Sequence, residues 1–213
     1  MQADPHDVTT FNTLGDLYVK AGRTSEAMRC FMHIAENYRL NGFNLKAIAM
    51  LKKVSKLDPS NVEIGLKLAA LYAQQKLLVD ARHQYLAVAE HYLREGQPQR
   101  ALDIYQKVAD LDPENTSIQL KLAEAYLREG QHEQAYEAFV AAAGELRRQR
   151  KEEEALEVYL RALQANPRGQ LALSSVINLY IQRNDILNAV SLIEKLLQER
   201  PSDAELLILL SRV

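Results

Sequence analysis

The sequence predicts an all-α solenoid, and three observations lead to that fold class. A 13-residue pattern recurs with a 54-residue period, apolar residues recur at helical spacing within each period, and Gly or Pro separates the helical segments. The pattern reads AIAMLKKVSKLDP at Ala47–Pro59, ALDIYQKVADLDP at Ala101–Pro113 and ALEVYLRALQANP at Ala155–Pro167. Repeats of this length bury their apolar faces by stacking on their neighbours, so the period indicates an array.

Prolines mark the boundaries of the predicted units. Pro5, Pro59, Pro113 and Pro167 follow one another at the 54-residue period, and Pro201 comes after a shorter, 34-residue interval. We therefore expect one solenoid over residues 1–213, with units at about 5–58, 59–112 and 113–166, a 34-residue repeat at 167–200 and a partial helix at 202–213.

Each 54-residue unit is predicted to hold three helices. In the first unit the apolar periodicity and the turn residues place these helices at Asp7–Ala21, Thr24–Leu40 and Asn44–Leu57. Gly22 and Gly42 stand where the helices turn, and Pro59 ends the third helix because proline disfavours helical geometry in the residue before it. The same reading of the whole chain gives eleven full helices and a partial one from Ser202.

The first two helices of each unit carry a recurring motif. In the first unit Leu14-Gly15-x2-Tyr18 is followed by Ala27-x3-Phe31, and small residues at such positions let neighbouring helix axes approach. The motif returns as Leu68-Ala69-x2-Tyr72 with Ala81-x3-Tyr85, as Leu122-Ala123-x2-Tyr126 with Ala135-x3-Phe139, and as Val176-Ile177-x2-Tyr180 with Ala189-x3-Ile193. It resembles the tetratricopeptide repeat (TPR) family. The resemblance implies a right-handed superhelix of antiparallel helices.

The 54-residue interval exceeds the 34-residue length of a plain TPR by one helix and a turn. Ile34-Ala35-x2-Tyr38 and Ala47-x3-Leu51 also fit the TPR frame, so the second helix closes one motif and opens the next. Strict alternation of inner and outer helices would then exchange faces after every three helices. The sequence therefore leaves open which helices line the concave side.

Composition and charge exclude several classes of partner. The chain is 47% apolar and 25% charged, with a formal net charge of -2 and a pI near 6.2. It therefore carries no excess of positive charge for nucleic acid or for an anionic membrane. No apolar run reaches the roughly 18 residues of a membrane span, so we expect no direct membrane insertion. The single cysteine, Cys30, fits a reducing compartment, and a cytoplasmic location is predicted.

No residue pattern points to catalysis, a cofactor or a metal. The five histidines fall at different places in the helical frame, and HExxH, paired cysteines, GxxxxGK[ST] and GxGxxG are missing. We therefore expect a non-catalytic protein, with Cys30 as a half-buried packing thiol. In the charge-dense run Glu145–Glu154, Arg and Glu lie three and four positions apart, which favours a solvated helix end with local ion pairs. A docking patch for an acidic partner is the alternative for that run.

The TPR resemblance also implies a binding surface, because in that family the first helix of each motif lines a groove that holds a partner's peptide or helix. The candidate lining residues are Asn12, Asp16, Lys20, Leu66, Ala70, Gln74, Leu120, Glu124, Leu127, Arg128, Ser174, Asn178 and Gln182. The carboxylate clamp of chaperone-binding TPR proteins is absent, since Leu66 and Leu120 stand where it needs polar groups. With Ala70 and Leu127 they predict instead an apolar strip for an amphipathic helix or an extended apolar segment. Packing of these leucines against a neighbouring helix of the chain is an equal alternative.

The resemblance implies a non-catalytic scaffold for protein–protein interaction, and similar bacterial arrays suggest envelope, pilus, motility or polarity machinery. Two alternatives stay open: a regulatory or substrate-recruiting arm of an enzyme whose catalytic domain lies outside the chain, and weak self-association through exposed end helices. The apolar run Leu206–Leu210 has no later helix to cover it, and the junction motif Asp4-Pro5 has no earlier one. We therefore expect a fragment of a longer protein.

Overall fold

The computed structural model describes residues 7–212, apart from the side chain of residue 205. Within that range the chain forms twelve α-helices and no strand. The helices are α1 Val8–Lys20, α2 Thr24–Leu40, α3 Asn44–Leu57, α4 Val62–Gln74, α5 Leu78–Arg94, α6 Pro98–Leu111, α7 Thr116–Arg128, α8 His132–Arg148, α9 Glu152–Ala165, α10 Gln170–Gln182, α11 Ile186–Glu199 and α12 Ala204–Leu210. The eleven full helices and the short last one are confirmed, and the first three match their predicted bounds within one residue. Asp4 and Pro5, which begin the first predicted unit, lie outside the described residues.

The chain divides into two compact units, one up to Leu111 with α1 to α6 and one from Asp112 with α7 to α12. In each unit every helix packs against the helix that follows it in sequence. This nearest-neighbour packing confirms the all-α solenoid class. The division lies within one residue of a predicted unit boundary, and a single continuous solenoid over the whole chain remains a prediction.

Each unit has its own apolar core built from the motif residues. Phe31 and Ile34 are buried in the first unit, and Phe139 and Ile177 are buried in the second. Small residues allow the close helix contacts: a Cβ atom added to Gly15 would lie only 2.7 Å from Cε1 of Phe31. The sequence motif is therefore a packing motif, with a small residue facing a ring.

Seven turns between described helices contain a residue with positive φ. Gly22 and Gly42 have φ values of 70° and 78°, as expected at the turns where the sequence places glycine. At three equivalent turns the left-handed residue is Lys76, Arg150 or Asn184. Lys76 and Arg150 carry side chains that disfavour this conformation, so these two turns are strained relative to the glycine turns.

The first helices of the repeats begin with matching caps. A cap side chain accepts a hydrogen bond from the backbone N–H three positions later at Asp7, Asn61 and Asn115. At the fourth equivalent position stands Gly169, where a Cβ atom would lie 2.1 Å from the ring of Tyr136. The hydroxyl of Tyr136 accepts from the N–H of Ala172 at 3.4 Å. A tyrosine from α8 thus replaces the missing cap and requires the glycine.

Candidate partner-binding grooves

The first unit carries a groove of about 580 Å³ between α2 and α4, which we name the α2–α4 groove. Its lining residues are Met32, Ala35, Glu36, Arg39, Leu51, Lys67, Ala70, Leu71 and Gln74. Ala35, Leu51 and Leu71 are buried and form an apolar floor, whereas Ala70 is exposed. An apolar floor beside polar rims suits the two faces of an amphipathic segment.

The rims of the α2–α4 groove carry charged side chains that pair within their own helix, α2 or α4. Arg39 donates to both carboxylate oxygens of Glu36 at 2.9 and 2.6 Å, and Lys67 lies 2.6 Å from the carboxylate of Glu63. The hydrogen bond from Arg39 lowers the pKa of Glu36, and the positive charge of Lys67 adds to that effect. The rims are therefore charged on both sides with their charges largely balanced.

The α1 and α3 helices of the same unit are joined by a polar bridge. The ammonium of Lys53 donates to Asp16 at 2.9 Å and to the side-chain oxygen of Asn12 at 3.0 Å. It also stands 4.6 Å from the centroid of the Phe31 ring. Asn12 and Asp16, two of the predicted lining residues, thus accept hydrogen bonds from a lysine of the chain itself.

The second unit repeats this bridge inside a groove of its own, of about 520 Å³, between α7 and α9. The lining residues of this α7–α9 groove are Thr116, Ser117, Leu120, Lys121, Glu124, Leu146, Glu154, Glu157, Val158 and Arg161. Arg161 donates to Glu124 at 2.9 Å, and its guanidinium carbon lies 4.6 Å from the centroid of the Phe139 ring. An ion pair of the chain therefore spans this groove.

The remaining predicted lining residues fall in separate places. Leu66 is half-buried on α4, and Leu127 packs against the core of the second unit. Lys20 and Arg128 are exposed in the last turns of α1 and α7. Asn178 and Gln182 are exposed on α10, and Ser174 lines a further groove of about 430 Å³ between α10 and α12. Of the predicted set, Ala70 and Gln74 lie in the α2–α4 groove, whereas Leu120 and Glu124 lie in the α7–α9 groove.

The sequence analysis assigned the groove lining to the first helix of each motif. It therefore missed the lining residues that the second and third helices supply. Met32, Glu36 and Arg39 come from α2, and Arg161 comes from α9. The sequence did contain a signal for α2, because its Ile34-Ala35-x2-Tyr38 fits the frame of a motif's first helix. In the first unit α4 faces a groove with the preceding α2, and in the second α7 faces one with the following α9. Two equivalent first helices thus line grooves with different neighbouring helices.

The other singled-out features have local structural roles. Cys30 is buried rather than half-buried, and burial raises the pKa of its thiol. In the run Glu145–Glu154 the Arg148 guanidinium contacts Glu145, and Lys151 lies 3.4 Å from Glu154.

Among the residues described, no cluster of three His, Cys, Asp or Glu side chains could hold a metal ion. None of the helices in residues 7–212 is both long and apolar enough to cross a membrane.

Family models agree with the repeat pattern. A tetratricopeptide repeat model matches residues 92–149 and another matches residues 140–204, so together they span more than half of the chain. A PPR repeat model matches residues 9–37. No curated protein matches the chain.

Several solved structures are similar to the chain. MamA from Desulfovibrio magneticus RS-1 is 20% identical over 70% of this chain and 99% of that one, with a TM-score of 0.32. A kinesin light chain protein with nearly identical TPR-like repeats from Podosopora anserina is 18% identical over 85% of this chain and 99% of that one, with a TM-score of 0.42. YrrB, a TPR protein with an unusual peptide-binding site, is 18% identical over 68% and 90%, with a TM-score of 0.27.

The sequence motif, the helix packing and the two tetratricopeptide repeat models agree on the repeat type over residues 92–204. TPR proteins are typically non-catalytic scaffolds, and the repeats support such a protein-interaction role here. The chain belongs to the tetratricopeptide repeat family.

Proposed function

We propose that the chain is a scaffold that binds a short helical or extended segment of another protein in the α2–α4 groove. The observation that carries the proposal is the lining of this groove, which combines the exposed Ala70 with the buried residues Leu51 and Leu71. A partner's apolar side chains can cover this floor while its polar side chains meet the charged rims.

The α7–α9 groove is a weaker candidate for the same role. Arg161 and Glu124 already satisfy each other across it at 2.9 Å, and a partner would have to displace or cover that pair. Its lining also contains the carboxylates of Glu154 and Glu157 and the hydroxyls of Thr116 and Ser117, so it offers less apolar surface. The α2–α4 groove requires no such displacement at Ala70.

The setting that we propose, a bacterial apparatus for envelope assembly, pilus function, motility or polarity, rests only on the family resemblance. We place the chain there as an adaptor without catalytic activity. The partner itself is to be found by experiment.

A matched pair of variants tests the proposed groove. Ala70→Arg fills the groove from an exposed position of α4, and Ala49→Arg adds the same side chain to an exposed position of α3 outside the groove lining. Affinity capture from a lysate of the source cells, followed by mass spectrometry, compares the proteins retained by each variant. Circular dichroism establishes that both variants keep their helix content.

The proposal expects Ala70→Arg to lose a specific protein that Ala49→Arg retains. Retention of every captured protein by a folded Ala70→Arg variant would contradict binding in this groove. Loss of the same protein by both variants would show that added charge, rather than the groove, controls capture.

A further inference from the structure

A positive charge stands at the same place in all three 54-residue units, on the third helix of each. The three residues are Lys53 on α3, Lys107 on α6 and Arg161 on α9. In the first and third of these the cation pairs with a carboxylate from the first helix of its own unit, Asp16 or Glu124, at 2.9 Å. The bridge is therefore a repeated feature of the array.

The middle 54-residue unit, residues 59–112, keeps the cation as Lys107 but lacks the side chains that accept its hydrogen bonds in the first unit. Leu66 and Ala70 occupy the positions on α4 that Asn12 and Asp16 occupy on α1. In the part of the chain that the structure describes, the exposed side chain of Lys107 forms neither an ion pair nor a hydrogen bond. Its ammonium group is therefore available to an acceptor from outside the chain.

The carboxylates on the same helix do not replace the missing acceptor. Asp103 and Asp110 lie one turn before and after Lys107, and Asp110 accepts a hydrogen bond from Gln106 at 2.9 Å. No ion pair joins Lys107 to either carboxylate within residues 7–212. The position that a carboxylate fills on α1 and α7 is occupied on α4 only by the methyl group of Ala70.

Ala70 connects this unpaired cation to the α2–α4 groove, because it lines the groove and also stands at the acceptor position of the bridge. Because its equivalents Asp16 and Glu124 contact the cations of α3 and α9, the repeat equivalence brings a segment that crosses Ala70 within reach of Lys107 on α6. Such a segment meets the apolar floor of the groove and, on α6, a cation that forms no ion pair within residues 7–212.

We infer that the segment bound in the α2–α4 groove carries an aspartate or glutamate whose carboxylate pairs with Lys107. This carboxylate takes the place that Asp16 and Glu124 take in the other two bridges, and apolar residues beside it cover Leu71 and Ala70. The inference deepens the proposed function and rests on it. It assigns the class of ligand, a short apolar peptide segment with an acidic residue.

The test uses a display library of short random peptides, selected on the purified chain. The selected sequences are expected to combine apolar residues with an Asp or Glu at a fixed spacing. Peptides that bind in the groove are recognised because Ala70→Arg abolishes their binding, whereas Ala49→Arg does not.

Titrations with a selected peptide then isolate the contact with Lys107. Lys107→Gln, or replacement of the peptide's acidic residue by its amide, is expected to weaken binding about three- to tenfold, and the two changes together no more than either alone. Lys56→Gln, at an exposed lysine of α3, removes the same charge and is expected to leave the affinity unchanged. Ala70→Glu, which supplies an internal carboxylate, is expected to weaken binding.

The outcomes separate the inference from the proposed function. Groove-dependent peptides without an acidic preference, or with equal affinity for Lys107→Gln, would overturn the inference and leave the groove proposal standing. If no selected peptide responds to Ala70→Arg, the groove proposal fails and the inference fails with it.

Discussion

The helices α4 and α7 occupy the same place in the repeat, yet their exposed faces differ. α4 presents Ala70 to the α2–α4 groove, whereas α7 presents the equivalent Glu124 to Arg161 at 2.9 Å. One side chain thus separates an open face from a face that the chain bridges by itself. The repeat motif determines where each helix packs, and the exposed positions between the motif residues determine what its free face can bind.

The largest effect is expected from the rings beneath the bridging cations. Phe139→Ala and Phe31→Ala are each expected to lower the free energy of unfolding by about 3–5 kcal/mol, because each ring is fully buried and its removal leaves a cavity. Urea denaturation followed by circular dichroism measures the loss. A loss below about 1 kcal/mol at either site would show that the ring contributes a cation–π contact and little to the packing of the core.

The turns that follow α4 and α7 also differ by one residue at an equivalent position. Exchanging these two residues should change the stability of the chain in opposite directions. Lys76, after α4, and Gly130, after α7, both have positive φ. Gly130→Lys is expected to destabilise the chain by about 1–2 kcal/mol, and Lys76→Gly is expected to stabilise it by somewhat less, because glycine also gains freedom in the unfolded chain. Thermal unfolding of the two variants measures both effects, and equal signs would contradict the comparison.

Exchanging the acceptor residues should close one face and open the other. Glu124→Ala is expected to cost about 0.2–1 kcal/mol because the ion pair is exposed, and Ala70→Glu is expected to gain a similar amount by pairing with Lys107. Both effects should shrink at high salt. A double-mutant cycle with Arg161→Met isolates the pair, and a coupling energy of zero at low salt would show that the bridge is only geometric.

The smallest effect concerns the acid response of the groove rim. Because Arg39 lowers the pKa of Glu36 in the folded chain, this carboxylate contributes stability above the ordinary glutamate pKa and loses it as the pH falls through the lowered value. Glu36→Gln should therefore be less stable than the wild type at neutral pH and equal to it in acid. A difference that persists unchanged into acid would contradict an electrostatic origin.

The sequence predicted the helices well because the features that define them are local. Gly22, Gly42 and Pro59 act on their immediate neighbours, so the bounds of α1, α2 and α3 could be predicted to within one residue. Buried Ala27 beside Phe31 follows from the same short-range motif. The positive φ of Lys76 could not be predicted from its own side chain, although its alignment with Gly22 and Gly130 contained the signal.

The grooves were harder to predict because they depend on residues far apart in sequence. Ala70 and Gln74 were predicted to line a partner-binding groove, and they lie in the α2–α4 groove, whose α2 side was not assigned. That a partner binds there stays a prediction. The pairing of Asp16 with Lys53 joins residues 37 positions apart on helices that are not consecutive. A periodicity argument finds the face of one helix and does not say which other helix that face will meet.

The central claim is that the α4 face is open to a partner and the α7 face is closed by the chain itself. Lys67 and Lys121 are equivalent exposed lysines that line the two grooves, so each can be replaced by a photo-crosslinking amino acid with little change to the fold. Irradiation in the source cells followed by mass spectrometry is the most direct measurement. The account predicts a specific adduct from position 67 and little or none from position 121, and a specific adduct from position 121 alone would contradict it.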